Sequence, residues 1–355
     1  MPVQNFEILN TNTDVTTTRT LLHEVIPLTG TIISGTYGTF HSERNVKNFS
    51  HGMFQSVYDY PYLSSSANHI FDITMGYDES SSLSGTTNHL QNAKKINLYN
   101  QFAQVLLGYS GSNNAVEIFE SDLSFGDNNN QMKECYFISL SRLITKDQIK
   151  KGSFSMTLGT GSYGAPFLKK KTLTDVSASE TGGTNNKGNS GEYGVLYDSP
   201  ANTAGLGVIF YQAGIVVLTA SIFKNDTKDF GTDSSNLAAA THGINQIMTG
   251  TSISGNCDAL RHRIQNLSYN NTTEINSAIY FCRVPHSKYN YSSNPTYTSG
   301  SKIRVKTVAS DTPVAYITTV GLYNSRNELM ATAKLSEPLR KDPTNEITLR
   351  VRLDY

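Results

Sequence analysis

The glycine-rich run GTGSYG at residues 159–164 matches the G-x-G-x-x-G pattern of dinucleotide-binding loops, and it follows a predicted strand at 153–158. That chemistry requires a helix to begin directly after the glycines, because the helix N-terminus holds the pyrophosphate. Here Ala165, Pro166 and Phe167 follow, with no amphipathic run behind them. The segment is therefore predicted to be a flexible turn without a bound nucleotide.

Four carboxylates in and beside an Asn-rich loop offer oxygen ligands of the kind that Ca²⁺ prefers: Glu117, Glu120, Asp122 and Asp127. Their spacing does not match an EF-hand loop, in which a glycine occupies the sixth position. The pattern therefore predicts a solvated acidic loop and no metal.

The eight histidines do not form H-E-x-x-H or another close pair of the kind that zinc hydrolases use. His262 lies between Arg261 and Arg263, which predicts an exposed polar strip and not a ligand. The sequence also lacks the G-x-S-x-G elbow and a cysteine-nucleophile signature. These patterns predict a protein that is not an enzyme and has no cofactor and no small-molecule substrate.

The three cysteines, Cys135, Cys257 and Cys282, are far apart and form no C-x-x-C pair, which predicts reduced thiols in a protein that folds in a cytoplasm. The first residues lack a basic region followed by an apolar core, so no signal peptide is expected. The longest apolar run, at 213–220, is too short to span a bilayer, and we expect no membrane partner.

Charge is unevenly spread along a chain whose formal net charge is zero. Residues 261–355 carry 13 Lys/Arg and 7 Asp/Glu, whereas residues 1–260 carry 16 and 22. Such asymmetry suits self-association in which opposite charges meet, although imbalances of this size also arise by chance. A clustered basic stripe and a high pI are absent, so no nucleic-acid partner is predicted.

Composition and hydrophobic periodicity predict a mainly β protein with one substantial α-helix, built from antiparallel, β-sandwich-like sheets. The helix is expected at about 87–109. Its apolar side is predicted to hold Ile96, Tyr99, Ala103, Leu106 and Leu107, and the other side mostly Lys94, Lys95, Asn100 and Gln104. A second, short helix is predicted by the capping-box pattern of Thr145 to Gln148, with its end at Gly152. The domain prediction is an extended arm at 1–20, a mainly β domain at 21–260 with a long flexible loop at about 176–194, and an antiparallel β module at 261–355.

The last 54 residues show the most regular alternation in the chain. Ile347, Leu349, Val351, Leu353 and Tyr355 occupy one side of the final run, and polar residues occupy the other. Period two with one apolar face is typical of a half-buried strand. The basic residues that alternate with the buried positions are therefore predicted to form exposed faces that contact an acidic neighbour: Arg304, Lys306, Arg350 and Arg352.

A polar-aromatic run, YNYSSNPTY at 289–297, precedes this module and includes Tyr289, Tyr291 and Tyr297. Tyrosine is amphipathic and loses little entropy on ordering, so such loops are common at interfaces. An ordinary turn with tyrosines packed on the local sheet explains the run equally well.

Three segments resemble proteins of bacteriophage particles. The run YITTVGLYNSRNELMATAKL at 316–335 resembles a hairpin of phage tail proteins: an apolar strand, an Asn-rich turn and a strand of small residues. The segments at 48–69 and 93–101 are similar to virion structural proteins of large contractile-tailed phages. The resemblance extends from near residue 20 to the end of the sequence.

This resemblance implies a multicopy, non-enzymatic component of the virion that is assembled in the host cytoplasm, with other virion proteins and copies of itself as partners. The tail-like hairpin favours the tail or baseplate, with a neck or head–tail connector as the alternative. A receptor- or glycan-binding virion module is a second hypothesis, favoured by the Tyr- and Asn/Ser-rich loops. A particle-bound hydrolase is a third, and the motifs argue against it.

Overall fold

The computed structural model describes most of the chain. The described residues are 6–28, 44–85, 89–109, 115–122, 127–163, 167–178, 186–188, 190–198, 205–223, 243–290, 298–299, 302–303 and 314–355. Strands account for 48% and helices for 15% of them, and the strand pairs are antiparallel, which confirms the predicted mainly β class.

The strands range from two to 21 residues. They are β1 Val15–Pro27, β2 Val46–Asn48, β3 Gln55–Tyr58, β4 His69–Tyr77, β5 Glu134–Leu140, β6 Gln148–Ile149, β7 Ser155–Tyr163, β8 Phe167–Thr174, β9 Asn186–Gly188, β10 Gly191–Asp198, β11 Gly207–Phe210, β12 Ile215–Thr219, β13 Ile264–Val284, β14 Thr298–Ser299, β15 Lys302–Ile303, β16 Ala315–Tyr323, β17 Leu329–Lys341 and β18 Ile347–Asp354. The helices are α1 Asn92–Leu106, α2 Arg142–Thr145, α3 Ile244–Gly250 and α4 Ile253–Arg261, with a 3-10 turn at Ala220–Phe223.

The chain divides into two compact units. The central unit is Leu22–Thr273, and the terminal unit combines Met1–Leu21 with Glu274–Tyr355. These bounds differ from the predicted domains. The predicted border after residue 260 lies inside α4, and the predicted arm groups with the terminal unit.

The sheet of the central unit begins with the first part of β13, residues 264–273, and follows the order β13-β7-β8-β10-β11-β12-β5-β4-β3-β2. Each neighbouring pair is antiparallel. The middle strands are buried on both sides. In β5, Tyr136 and Ile138 pack into one hydrophobic cluster, and Cys135 and Phe137 pack into the other. Alternate residues of a strand point to opposite faces, so this sheet has apolar material on both faces.

Helices cover both faces of β4 and β5. Tyr99 and Leu106 of α1 pack in the cluster of Phe137, whereas Leu260 of α4 packs in the cluster of Ile138. Gly76 of β4 allows the close approach of α1, since a Cβ there would lie 2.4 Å from the carbonyl oxygen of Lys95.

The predicted helix at 87–109 is confirmed as α1, but it is shorter, at Asn92–Leu106. Its apolar side is confirmed by the burial of Tyr99, Ala103 and Leu106. Lys95 was expected on the polar side and is instead fully buried, because its Nζ donates to the carbonyl oxygens of Met248 (2.5 Å) and Thr251 (2.7 Å) near the end of α3.

A second helix was predicted to begin at a capping-box pattern, Thr145 to Gln148. That prediction is wrong, because α2 ends at Thr145 and Lys146 adopts a left-handed φ of 57°. Gln148 instead enters β6 and pairs with Thr272 of β13. A long-range strand pairing therefore overrides the local pattern.

The glycine-rich run was predicted to be a turn, and this prediction is also wrong for Gly159–Tyr163, which continue β7. Gly159 is suited to that position because a Cβ would lie 2.3 Å from the ring of Phe167. The predicted flexible loop at 176–194 contains a strand pair, in which Gly188 of β9 lies opposite Gly191 of β10, while residues 179–185 lie outside the described part.

Arg261, His262 and Arg263 were expected to form an exposed strip, and all three are buried. The Arg261 guanidinium pairs with Asp258 (2.9 Å), and that of Arg263 lies 4.9 Å from the ring centroid of Phe167. Both arginines belong to the central unit, so the charge asymmetry is smaller than the sequence suggested. The terminal unit carries 12 Lys/Arg and 9 Asp/Glu.

Candidate functional site: an assembly surface on the terminal unit

The final strand, β18, presents one apolar face and one polar face, as its alternation predicts. Leu349 and Val351 are buried, whereas Arg350 and Arg352 are exposed. β18 pairs with β13, and Phe281 lies directly opposite Arg350. The prediction that Arg350 and Arg352 share an exposed face is therefore confirmed. Tyr355, which was assigned to the apolar side, is exposed.

The two arginines differ in their surroundings. Arg352 donates from Nε to Asp354 Oδ1 (2.7 Å) and from Nη2 to Ser277 Oγ (3.1 Å). The hydrogen bonds from Ser277 and Arg352 lower the pKa of Asp354. Arg350 forms no ion pair with a residue that the structure describes. Of this pair, Arg350 is the cation available to an acidic neighbour.

The strands β16 and β17 form a separate two-stranded sheet, here called the ribbon. Its register shifts between Ile317, which lies opposite Leu339, and Thr319, which lies opposite Lys334. The extra residues of β17 form a bulge that contains Pro338, whose missing N–H suits a position outside the ladder. The bulge divides the ribbon into a base and a distal part.

The distal ribbon has two different faces. One is aliphatic and only half-buried, and the opposite face is exposed and more polar. The aliphatic face consists of Val320, Leu322, Ala331, Ala333 and Leu335. The tip adds two exposed apolar side chains, Leu329 and Met330. A sheet of two strands buries little of its own apolar surface, so this face is available for contact with another surface.

The turn that joins the two strands is the predicted Asn-rich turn. Asn324 Oδ1 accepts from the backbone N–H groups of Arg326 and Glu328, both at 2.9 Å. Asn327 adopts a left-handed φ of 63°, which asparagine tolerates better than most residues. The turn fixes the register of the distal ribbon.

A buried lysine holds the base of the ribbon. Lys341 Nζ donates to Asn290 Oδ1 (2.7 Å), to the carbonyl oxygen of Asp342 (2.7 Å) and to that of His286 (3.3 Å). Three acceptors satisfy the three donors of an ammonium group. The ribbon is therefore anchored to the turn at 285–290, which the sequence alone did not indicate.

Tyr289 lies in that turn with a φ of 56°, and its side chain is partly exposed. The adjacent Lys288 forms an ion pair with Glu7 (2.6 Å), and Phe6 contacts the ring of Tyr323 edge-on at 4.9 Å. The N-terminal residues thus pack beside the turn and the ribbon. The sequence placed these residues in an arm but could not identify what the arm contacts.

The remaining predicted interface residues are not described by the structure. Arg304, Lys306, Tyr291 and Tyr297 lie outside the described residues, so their predicted role is unchanged. The structure brings Arg350, Arg352 and Tyr289 into one unit and adds the aliphatic ribbon face. The alternation of Val320 and Leu322 with Ala331 and Ala333 is the sequence signal by which that face could have been found.

The acidic loop brings three of its four carboxylates together. Atoms of Glu120, Asp122 and Asp127 lie within 4.8 Å of one another, and Glu117 is not among them. Glu120 Oε1 accepts from the backbone N–H of Asn128 (2.9 Å). These three side chains are the residues that would hold a cation. Hydrogen-bond donors within the loop also account for the closeness of the carboxylates.

No helix in the described ranges has the length and hydrophobicity needed to cross a bilayer. Comparisons of the chain with protein-family models, with curated proteins and with solved structures find no match.

Proposed function

We propose that this protein is a structural component of a tailed-phage virion, and that it assembles in multiple copies in the tail or baseplate through its terminal unit. The observation that carries the proposal is the ribbon, whose aliphatic face is half-exposed and whose strands pair only with each other among the described residues. The sequence resemblance of 316–335 to phage tail hairpins supports the same conclusion.

The physical argument concerns the free energy of an isolated ribbon. A lone two-stranded hairpin is marginally stable in water, and burial of further apolar surface stabilises it. A second copy of the protein presents the same ribbon, so the aliphatic faces of two copies can bury each other. Strand edges add hydrogen-bonding groups for pairing with a neighbouring chain.

The exposed arginine face is a second contact for assembly. Arg350 offers a cation that forms no ion pair with a described residue and lies opposite Phe281, and this combination suits an acidic partner surface. Charge reversal at Arg350 is expected to weaken assembly at moderate salt, whereas reversal at Arg352 also breaks the ion pair with Asp354 inside the unit.

The first experiment compares two double variants of the full chain by analytical ultracentrifugation over a wide concentration range. Val320→Lys with Leu322→Lys places charges on the aliphatic face of the ribbon. Thr319→Lys with Thr332→Lys places the same charges on the opposite face and is the matched control. We expect the natural chain and the control to self-associate and the first variant to remain monomeric.

The second experiment tests the particle directly. Mass spectrometry of purified phage particles, with antibody labelling in electron micrographs, is expected to detect the protein at the tail or baseplate. Labelling at the neck would support a head–tail connector instead. A protein that is monomeric at every concentration and absent from purified particles would contradict the proposal.

A further inference from the structure

The loop between β3 and β4 in the central unit holds three large apolar side chains in solvent. Tyr60 is 59% exposed, Tyr62 is 38% exposed and Leu63 is 86% exposed. At these exposures Tyr60 and Leu63 contribute little to stability by burial, whereas Tyr62 is partly buried. The loop therefore presents a surface whose use lies outside the core.

Hydrogen bonds fix the two ends of this loop against each other. Asp59 Oδ1 accepts from the backbone N–H of Asn68 (2.6 Å), and Asp59 Oδ2 accepts from Asn68 Nδ2 (2.8 Å). The backbone N–H of Tyr62 donates to the carbonyl oxygen of Arg44 (3.0 Å). Because these bonds hold the loop in one conformation, a ligand would meet a preorganised surface.

A row of aromatic rings leads from the loop to an ionisable pair. The Tyr62 and Tyr58 ring centroids are 6.3 Å apart, and Tyr58 contacts His69 edge-on at 5.5 Å. His69 Nε2 lies 2.8 Å from Asp72 Oδ1, and Ser56 Oγ donates to the same oxygen. The other oxygen, Asp72 Oδ2, accepts no hydrogen bond from a residue that the structure describes, and the side chain is 34% exposed.

This combination of groups limits the chemistry of a ligand. The negative face of an aromatic ring attracts the C–H groups of a sugar, and a carboxylate oxygen accepts a hydrogen bond from a hydroxyl. Residues 52–76 contain no Lys or Arg but include Asp59 and Asp72, so the charges within this segment disfavour an anionic ligand, although Arg44 adds a cation to the neighbouring segment. The apolar side chains are followed by three serines, at 64–66, which interrupt the apolar surface that a hydrophobic peptide would need.

We propose that the β3–β4 loop is a binding site for a neutral oligosaccharide. Tyr60 and Tyr62 stack on the sugar, while Asp72 Oδ2 accepts from its hydroxyl groups and His69 holds the Asp72 carboxylate by the other oxygen. The site belongs to the central unit and goes beyond the assembly proposal, which concerns the terminal unit. It also differs from the tyrosine loop at 289–297 that the sequence suggested for binding.

The experiment uses the full chain on an array of immobilised neutral and acidic oligosaccharides. Isothermal titration calorimetry then follows with the neutral oligosaccharide that is retained most strongly. The variants are Tyr60→Ala with Tyr62→Ala, and Asp72→Asn. The matched control is Tyr109→Ala, which removes another exposed tyrosine outside both the loop and the ribbon.

We expect retention of neutral oligosaccharides, a loss of affinity of about tenfold or more in the double variant, and natural affinity in the control. Circular dichroism checks that each variant is folded, and Tyr60→Ala alone, at the more exposed tyrosine, separates a loss of binding from a loss of the Tyr62–Tyr58 contact. Failure to retain any neutral oligosaccharide, retention of acidic ones only, or natural affinity in the double variant would overturn the proposal. Self-association of the double variant is measured separately. If it matches that of the natural chain, the result concerns the β3–β4 loop alone and leaves the assembly proposal unaffected.

Discussion

Lys95 provides the sharpest test of the central unit, because its ammonium group is fully buried. Its hydrogen-bond acceptors are the carbonyl oxygens of Met248 and Thr251, and no carboxylate is among them. Burial lowers the pKa of Lys95 to about 8. The perturbation is Lys95→Met, which keeps an unbranched side chain of similar length and removes the titrating group.

The magnitude follows from linkage between protonation and folding. The pKa of a lysine in an unfolded chain is about 10.4, so between that value and the folded value near 8 the unfolded state binds more protons. The free energy of unfolding of the natural protein therefore rises with pH in this window. Titration of Lys95 adds almost nothing to the free energy of unfolding at about pH 7. At about pH 9 it adds about 1.4 kcal/mol, since one pKa unit corresponds to about 1.36 kcal/mol.

The assay is urea unfolding of both proteins at several pH values, and the measured quantity is the difference between their free energies of unfolding. Burial also raises the pKa of the Cys135 and Cys257 thiols, which opposes stability at high pH. That effect occurs in both proteins and cancels in the difference. Lys94→Met, at the exposed neighbouring residue, is the control for removing a lysine of α1 that is not buried.

A Lys95→Met difference that stays constant between about pH 7 and pH 9 would refute the reasoning. It would mean that the two carbonyl groups and the negative end of α3 hold the proton as firmly as water does.

Three further predictions concern particular contacts. Gly76→Ala should lower the free energy of unfolding by about 2 kcal/mol or more in urea, because the new Cβ would overlap the backbone of α1. Gly85→Ala is the control and should be nearly neutral, because there is open space around Gly85. Asp175→Asn should cost about 2–4 kcal/mol in the same assay, since the buried carboxylate accepts from two backbone N–H groups and a tyrosine hydroxyl. The hydrogen bond with Asp72 raises the pKa of His69. The stability that this pair contributes should therefore be present at low pH and be lost as the pH rises through the folded pKa of His69. Asp72→Asn should remove this pH dependence, and an NMR titration of the His69 ring measures it.

The sequence correctly predicted those elements whose hydrophobic pattern fits only one secondary structure. The alternation in β18 and the spacing of Tyr99, Ala103 and Leu106 in α1 each require one buried face, and both were correct. The exposed positions of Arg350 and Arg352 followed directly from the strand pattern.

Predictions failed where a partner distant in sequence decides the outcome. Arg261 is buried because Gln55 and Asp258 accept its hydrogen bonds, and Gln55 is 206 residues away. The acceptors of Lys95 lie more than 150 residues away. The turn at 285–290 that holds Lys341 is also remote in sequence. No local pattern marks such acceptors, so a charged residue is assigned to the surface by default.

The composition of the terminal unit has a consequence for the order in which the chain folds. Arg19 and Glu274 pair across 255 residues, and closing a loop of that length costs roughly 5 kcal/mol in an otherwise unfolded chain. Folding of the central unit first places His23 Nδ1 3.1 Å from Thr272 Oγ1 and leaves only a few residues to close. Because this order avoids most of the closure cost, we expect the terminal unit to be completed after the central unit. The terminal unit, which carries the surfaces proposed for assembly, is then the last part of the molecule to reach its final structure.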